Sequence, residues 1–425
     1  MRRKEILVLS IVLVIAGILI TYSFIPKSNS TNFNKKPSVY VDFPKSGEEV
    51  CGILTIAGRA VDPDGSVKSV EIKIDDGDWF LIDTACNWSY SIDTRNLENG
   101  YHNIYIRAWD GTSYSDTLKL EVLVDNEFAE NVHKWALFVA AANIEDIDVK
   151  LGNGMLKIAE DMARYFIDDL GYPANHITIL FDDGWIRDKN GEGKRLMTLQ
   201  ERADRIRYVS YGPATKEFFF SSLENVIREA NRFEDSEVFI WISGHGIGDP
   251  DKKITGGKIL KRSEILLWDD VLEDKELGDV LSDLHAKLCI IVDSCYSGGF
   301  ANRVIFDLPS LLKSGIPKDG RIVITGESKF SIGYASNVSG PLFTQLWFEG
   351  LRTGKADGFR EVFGIARKPL LNMFKDGRVS VEEAFYYAKY MLRKEYRDFF
   401  WMQPQMNDMY PHRFPFNVGQ MFLGD

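Results

Sequence analysis

Cysteine is scarce in this chain. Four residues in 425, Cys51, Cys86, Cys289 and Cys295, fall far below the density that staples a small disulfide scaffold, so an apolar core has to carry the fold. At 45% hydrophobic and 27% charged residues the chain can build one. Positive charge is also in short supply. The net charge is −11, and a protein that tracks nucleic-acid phosphates needs a basic face, so that class of partner is set aside. Six histidines occur, so a histidine and a cysteine somewhere in the chain carry no meaning until their placement is known. The length suits two or three domains rather than one.

Long apolar runs are rare as well, and the one at the amino terminus stands out. Arg2, Arg3 and Lys4 precede Ile6 through Ile25, a run of 20 residues whose polar members are Ser10, Thr21, Tyr22 and Ser23. Twenty helical residues reach about 30 Å, the thickness of a bilayer's hydrocarbon core. The basic flank should stay on the cytoplasmic side and send the rest of the chain outward. We therefore expect residues 1–25 to be an uncleaved signal anchor. The alternative, secretion after signal cleavage, calls for a shorter apolar core and a small-x-small site, which is not evident here. Residues 26–38, rich in Ser, Asn and Lys, read as a linker.

From 39 to 125 the pattern is short alternating strands separated by turn residues such as Asp62-Pro63-Asp64-Gly65, Asp75-Asp76-Gly77 and Asn99-Gly100. Strands at this spacing predict an antiparallel sandwich. The segment "GRAVDPDGSVKSVEIKIDDGDW", with "NWSYSIDTRNLENGYHNIYIRAWDGT" after it, resembles the bacterial-type immunoglobulin-like domains of surface proteins, which implies a spacer or adhesive role. Cys51 and Cys86 both lie here. Outside the membrane they could form a disulfide, and two buried thiols are the other reading.

Beyond a linker at 126–134 the rhythm changes. Within 135–425, continuous Val- and Ile-rich runs (135–142, 176–181, 237–243, 287–293 and 321–325) alternate with amphipathic helical patterns near 156–167, from Thr215 to Ala230, and near 271–284. Such alternation predicts a mostly parallel sheet covered by helices on both faces. Ligands of such sheets bind beyond the carboxyl ends of the strands.

Two of these strands end in reactive residues. E237-V-F-I-W-I-S243 runs into Gly244-His245-Gly246, and K287-L-C-I-I-V-D293 runs into Ser294-Cys295-Tyr296-Ser297-Gly298-Gly299. If the strands are neighbours, His245 and Cys295 meet at one edge. A thiolate attacks, an imidazole shuttles its proton, and the backbone N–H groups of Gly246 and Cys295 are candidates for an oxyanion hole. Metal chemistry would need three or four clustered ligands, and only Asp293 and Cys295 lie together. Cys289 reads as core. Six residues of extended chain span about 20 Å, against a Cα limit of about 7 Å for a disulfide, so it cannot bond Cys295.

Together, "FIWISGHG" and "IIVDSCYSGGF" resemble the paired His-Gly and Asp-x-Cys blocks of the caspase-like (clan CD) cysteine peptidases. The legumain group is closest, through "DDLGYPANHITILFDDG", "ITGESKFSIGYAS", "GPLFTQLWFEGL" and "DGRVSVEEAFYYA", so that the resemblance covers about 135–407. It implies a caspase-like α/β fold, His245 and Cys295 as catalytic dyad, and Gly246 in the oxyanion hole. Asp293 stands where metacaspases carry a pocket aspartate and the legumain group a glutamate. It implies preference for Arg or Lys before the scissile bond, unless the aspartate only pins the turn. The segment L151-G-N-G-M-L-K157 lacks the partners both groups use in that pocket, so cleavage after Asn is also open.

No complete metal-ligand set is found. Asp376 to Glu383 resembles half of a calcium loop, but Phe374 occupies a ligand position and cannot coordinate. The reading here is a helix start capped by Ser380. No cofactor is expected. The lysine-rich loop 248–262 reads as a solvated loop or, with basic specificity, a self-cleavage site. The expected function is a membrane-anchored, extracytoplasmic cysteine endopeptidase acting on polypeptides. A legumain-like Asn-specific peptidase or transpeptidase and a catalytically idle surface-binding protein are the alternatives.

Overall fold

The computed structural model describes residues 34–51, 53–83, 87–126, 132–249, 258–369, 374–412 and 419–425. The expected membrane anchor lies outside the described residues, among which no helix is long and apolar enough to cross a membrane.

The amino-terminal β region forms two sheets. One joins Ser38–Phe43, Ile53–Val61 and Asn87–Asp93; the other joins Glu48–Val50, Leu118–Val124, Gly100–Trp109, Ser69–Ile74 and Phe80–Asp83. Their period-2 alternation turns Ile56, Val70, Ile72, Trp88, Ile104, Ile106 and Val122 into a core of their own. Cys51 is a free thiol there, pushed up to about 12 by burial and the nearby acids Asp125 and Glu49. Cys86, the partner expected for it, lies outside the described residues.

The second region is built on a seven-stranded sheet, whose strands are labelled in chain order: β1 (Lys134–Ala141), β2 (Ile177–Phe181), β3 (Ser210–Gly212), β4 (Glu237–Gly244), β5 (Lys287–Asp293), β6 (Arg321–Thr325) and β7 (Gln405–Asp408). Across the sheet the order is β3-β2-β1-β4-β5-β6-β7. All neighbouring pairs are parallel except β6 and β7. The chain works outward from β1 to β3 and then returns to β1's other side with β4. Strand order therefore reverses between β1 and β4, and the crevice beyond their carboxyl ends is where such sheets take ligands.

Helices cover both faces. α1 (Gly154–Asp168), α2 (Lys216–Ala230), α3 (Asp274–Val280), α4 (Leu342–Arg352) and α5 (Val381–Lys394) follow the chain in that order. Alternate side chains of each strand enter opposite cores. Phe138, Phe239, Trp241, Cys289 and Ile291 pack with α1, α4 and α5, while Leu137, Val139, Ile240, Ile290 and Val292 pack with α2 and α3. Mid-strand Cys289 is wholly buried, and burial holds its thiol well above the ordinary range. The helix expected near 271–284 is shorter than its apolar pattern. Val271–Glu273 instead pairs antiparallel with Glu264–Leu266, α3 follows, and Leu281–Asp283 is a tight 3-10 turn. The buried Leu272 in the strand and Leu277 in the helix produce the pattern between them without one continuous helix.

The two regions share a core. Phe43 and Ala57 of the β sandwich are buried among residues of α2 and the sheet. The Phe43 ring stands edge-on to Phe218 at 5.8 Å. Around this contact Glu49 accepts from Arg207 at 2.7 Å and Glu48 pairs with Arg205 at 3.4 Å.

Candidate active site

Adjacent parallel pairing of β4 with β5 puts Ser243 opposite Asp293, so the two strands end level. His245 follows two residues after Ser243, and Cys295 two residues after Asp293. Each run of β-branched and aromatic residues ends in glycine-rich chain, which frees the backbone to turn at the same edge. The two turns touch. A Cβ built on Gly246 would fall 1.8 Å from the Cys295 carbonyl oxygen and 3.0 Å from its nitrogen. Only glycine allows this approach, which sets Gly246, the residue after His245, against the backbone of Cys295.

His245 is half-buried and held on both sides. Its Nε2 donates to the carbonyl of Val149 at 2.8 Å, which leaves Nδ1 as the proton-accepting nitrogen of the neutral ring. Its own carbonyl accepts from the N–H of Leu266 at 2.8 Å. Val149 sits in a loop beyond β1 that is wrapped around the next residue. The Lys150 ammonium donates to the carbonyls of Ile144, Glu145 (3.0 Å) and Ile147 (2.7 Å). At the root of this loop the buried Asp182 accepts from the backbone of Ala142 at 2.7 Å and from the Asn143 side chain at 2.6 Å. Burial, with the Lys150 charge adding to it, lowers the His245 pKa below its usual value, against the opposing hydrogen bond to Val149.

Cys295 is partly buried. Burial pushes its thiol up to about 11, reinforced by the acids Glu327 and Asp293 and opposed by the N–H of Gly333, which donates to Sγ at 3.4 Å. The next residue, Tyr296, takes a left-handed backbone (φ 57°), rare for a bulky side chain and a sharp turn that presents Cys295 beyond the strand end. That turn is tied at each side: Tyr296 N–H donates to the Ser331 carbonyl at 2.9 Å, and its carbonyl accepts from Ser263. Burial thus favours the uncharged form of each group.

Asp293 is 4% exposed. Its Oδ2 accepts from the backbone N–H (3.0 Å) and the hydroxyl (2.6 Å) of Thr344 in the first turn of α4. A Cβ on Gly326 would lie 2.1 Å from Oδ1. Burial raises the carboxyl to about 6, against the Thr344 hydrogen bonds. The carboxyl thus ties β5 to a helix amino terminus, a favourable place for partial negative charge.

The segment that resembles half of a calcium loop is the helix start read from the sequence. Ser380 Oγ accepts from Glu383 N–H at 3.2 Å, and the Glu383 carboxylate accepts from Ser380 N–H at 2.9 Å, a complete capping box for α5. Among the described residues no cluster of three His, Cys, Asp or Glu could hold a metal. Residues 250–257 of the lysine-rich loop lie outside the described residues. Sequence reasoning missed Val149, Lys150, Gly333 and Thr344: Val149 and Gly333 act through backbone groups, Lys150 through carbonyls of its own loop, and Thr344 from a distant helix.

Comparison with known proteins bears on the two regions separately. The bacterial Ig domain family matches residues 37–106, and the amino-terminal β region is Ig-like. Among curated proteins the chain matches none. Among solved structures it is similar to an endo-beta-1,4-mannanase from Thermotoga petrophila (16% identity, TM-score 0.20), over 23% of this chain and 22% of that one. It thus spans less than a quarter of that enzyme. It is also similar to caspase-1 from Spodoptera frugiperda at 10% identity and TM-score 0.36, over 65% of this chain and 86% of that one. Protein GSU0716 from Geobacter sulfurreducens is similar at 15% identity and TM-score 0.34, over 58% and 99% respectively.

Proposed function

We propose that the chain is a cysteine endopeptidase acting on polypeptides through His245 and Cys295. The observation that carries this reading is the contact of Gly246 with the Cys295 backbone at the carboxyl edge of two adjacent parallel strands. On this reading a base and a nucleophile each follow the end of one of two adjacent parallel strands.

In this mechanism the Cys295 S–H proton passes to Nδ1 of His245 while Sγ bonds to the scissile carbonyl carbon. The carbonyl oxygen becomes an oxyanion, stabilised by backbone N–H groups of Gly246 and Cys295. Imidazolium then gives the proton to the amide nitrogen, the C–N bond breaks and the amine leaves, with a thioester on Cys295. Water attacks the thioester with His245 as base, releasing the acid and restoring the thiol. Nε2 stays on the Val149 carbonyl throughout and favours the positive ring when it forms. Because burial raises the thiol to about 11 and lowers the imidazole, proton transfer is coupled to attack, the substrate oxygen taking up the negative charge as it develops.

Asp293 serves first as a tie between β5 and α4. Its commitment to Thr344 favours this over a free pocket acid, so preference for Arg or Lys rests on Oδ1 alone. Anchoring by residues 6–25, with the Ig-like domain holding the site on the outer side of a membrane, completes the proposal.

The test is cleavage of a peptide library by the purified chain beside Cys295→Ala. Cleavage by the wild type alone supports the assignment, and the residue before each cut reads out specificity. Equal cleavage by both proteins refutes it.

A further inference from the structure

Behind the nucleophile lies an acid that neither the dyad nor the specificity argument uses. Glu327, two residues past the end of β6, is 0% exposed. Its backbone N–H donates to Ser297 Oγ at 3.3 Å, and that hydroxyl in turn donates to the carbonyl of Ser294 at 2.8 Å, within the nucleophile turn. Its side chain reaches the other way. Oε2 accepts from the hydroxyl of Ser331 and from the backbone N–H of Gln403 at 2.8 Å. Oε1 is buried with no hydrogen-bond partner among the described residues. It faces Gly333, where a Cβ would lie 3.6 Å away.

The strap held by this carboxyl touches the nucleophile at two points. Ser331, whose hydroxyl is on Glu327, gives its carbonyl to Tyr296 N–H; Gly333, two residues on, gives its N–H to Cys295 Sγ. Ser328 Oγ and Ser331 Oγ, 2.8 Å apart, close the turn between them. We infer, on the reading of Cys295 as nucleophile, that Glu327 is the positioning residue for that nucleophile, fixing the 328–333 strap so that Gly333 N–H meets Sγ.

The same geometry dictates its protonation. An ionised carboxylate with one oxygen buried and unpartnered is costly unless a cation pairs with it. The charged group acting on Glu327 is Asp293, at the end of β5, another acid that opposes ionisation. Lys329, on its own segment, turns its ammonium to the carbonyl of Lys261. Gln403 and Ser331 contribute neutral groups, and Cys295 rests as a thiol. Glu327 is therefore held neutral, and the role it plays is one that an amide can imitate.

The experiment is the rate of Cys295 alkylation by iodoacetamide as a function of pH, measured on the full chain together with kcat and KM. Cys295→Ala serves as the blank for the other thiols. Glu327→Ala should alkylate about tenfold or more slower at a fixed pH and lose kcat to a similar extent with KM within about twofold. Glu327→Gln should restore alkylation to within about threefold, because its amide oxygen keeps both acceptor contacts. Should Glu327→Ala fold poorly, Ser331→Ala removes one arm of the same link and should show the same slowing of alkylation. Alkylation of Glu327→Ala, or of Ser331→Ala where the former is not obtained, at the wild-type rate across the profile overturns the inference. So does a Glu327→Gln variant as impaired as Glu327→Ala, which would assign the work to an ionised carboxylate. Alkylation needs no peptide substrate. If the wild type cleaves nothing yet the alkylation order holds, the peptidase reading fails while this one stands.

Discussion

Nε2 of His245 donates to the carbonyl of Val149, and the loop carrying that carbonyl is gathered around the ammonium of Lys150. A single positive charge therefore organises the peptide group that orients the candidate base. The same charge disfavours a second one on the imidazole nearby.

Replacing Lys150 with methionine keeps length and apolar stem but removes the donor to three carbonyls. The expected result is a kcat lower by about tenfold or more, since misplacement by a fraction of an ångström is costly in a preorganised site. KM should change little. The acid limb of the kcat/KM profile should move up in pH as the imidazole loses its cationic neighbour. An unchanged limb with unchanged kcat counts against the loop as a positioning device.

Gly246→Ala places a methyl group where a Cβ would lie 1.8 Å from the Cys295 carbonyl oxygen. One of the two turns has to move. Loss of about two orders of magnitude in kcat/KM is expected, in the range seen when one oxyanion donor is removed, with the fold retained by circular dichroism. Activity near the wild-type level would separate Gly246 from the site.

The pH dependence of the free thiol carries its own sign. Burial pushes Cys295 up to about 11, so the reactive thiolate fraction at neutral pH is on the order of 10⁻⁴. Alkylation of the wild type should rise about tenfold per pH unit through neutrality. A plateau already reached by about pH 7 would instead indicate a preformed thiolate–imidazolium pair.

Asp293→Asn tests the buried acid at the strand end. Folded Asp293 titrates at about 6 and an unfolded aspartate near 3.9. Between these values the folded chain keeps a proton the unfolded chain has lost, so this group's contribution makes stability fall as pH rises and then level off above about 6. Thermal melts from about pH 4 to 7 should show that Asp293→Asn removes this part of the slope. Identical slopes in both proteins would show that the carboxyl is not protonated in the fold.

Phe43→Ala probes the contact between the Ig-like domain and the α/β domain. Phe43 is 3% exposed and edge-on to Phe218. Its removal should cost about 3–5 kcal/mol, read as a lower denaturant midpoint. A loss under about 1 kcal/mol would mean that the two regions stabilise each other little.

Much of this architecture was legible in the chain itself. The apolar runs that became β1, β2, β4, β5 and β6 announce buried parallel strands, because a strand covered on both faces has no polar side to show. Ser380 at the head of α5 was legible for the same local reason, as a cap and its partner lie three residues apart. His245 and Cys295 could be singled out because each stands in glycine-rich chain directly after such a strand. The 271–284 stretch was less legible, since a strand and a helix that bury the same leucines share one apolar pattern.

What only the tertiary structure decided is which groups meet. The pairing of β4 with β5 and the level register of Ser243 and Asp293 are set by long-range packing, with 50 residues of chain separation between their strand ends. Val149 and Gly333 contribute backbone groups that every residue type carries, so no side-chain pattern can mark them. Asp293 read from sequence as either a pocket acid or a tie. The fold supplied Thr344, 51 residues away, as its partner. Sequence determined the reactive groups and the strands that bear them. Their hydrogen-bond partners and protonation came from burial, which exists only once the distant segments close over one another.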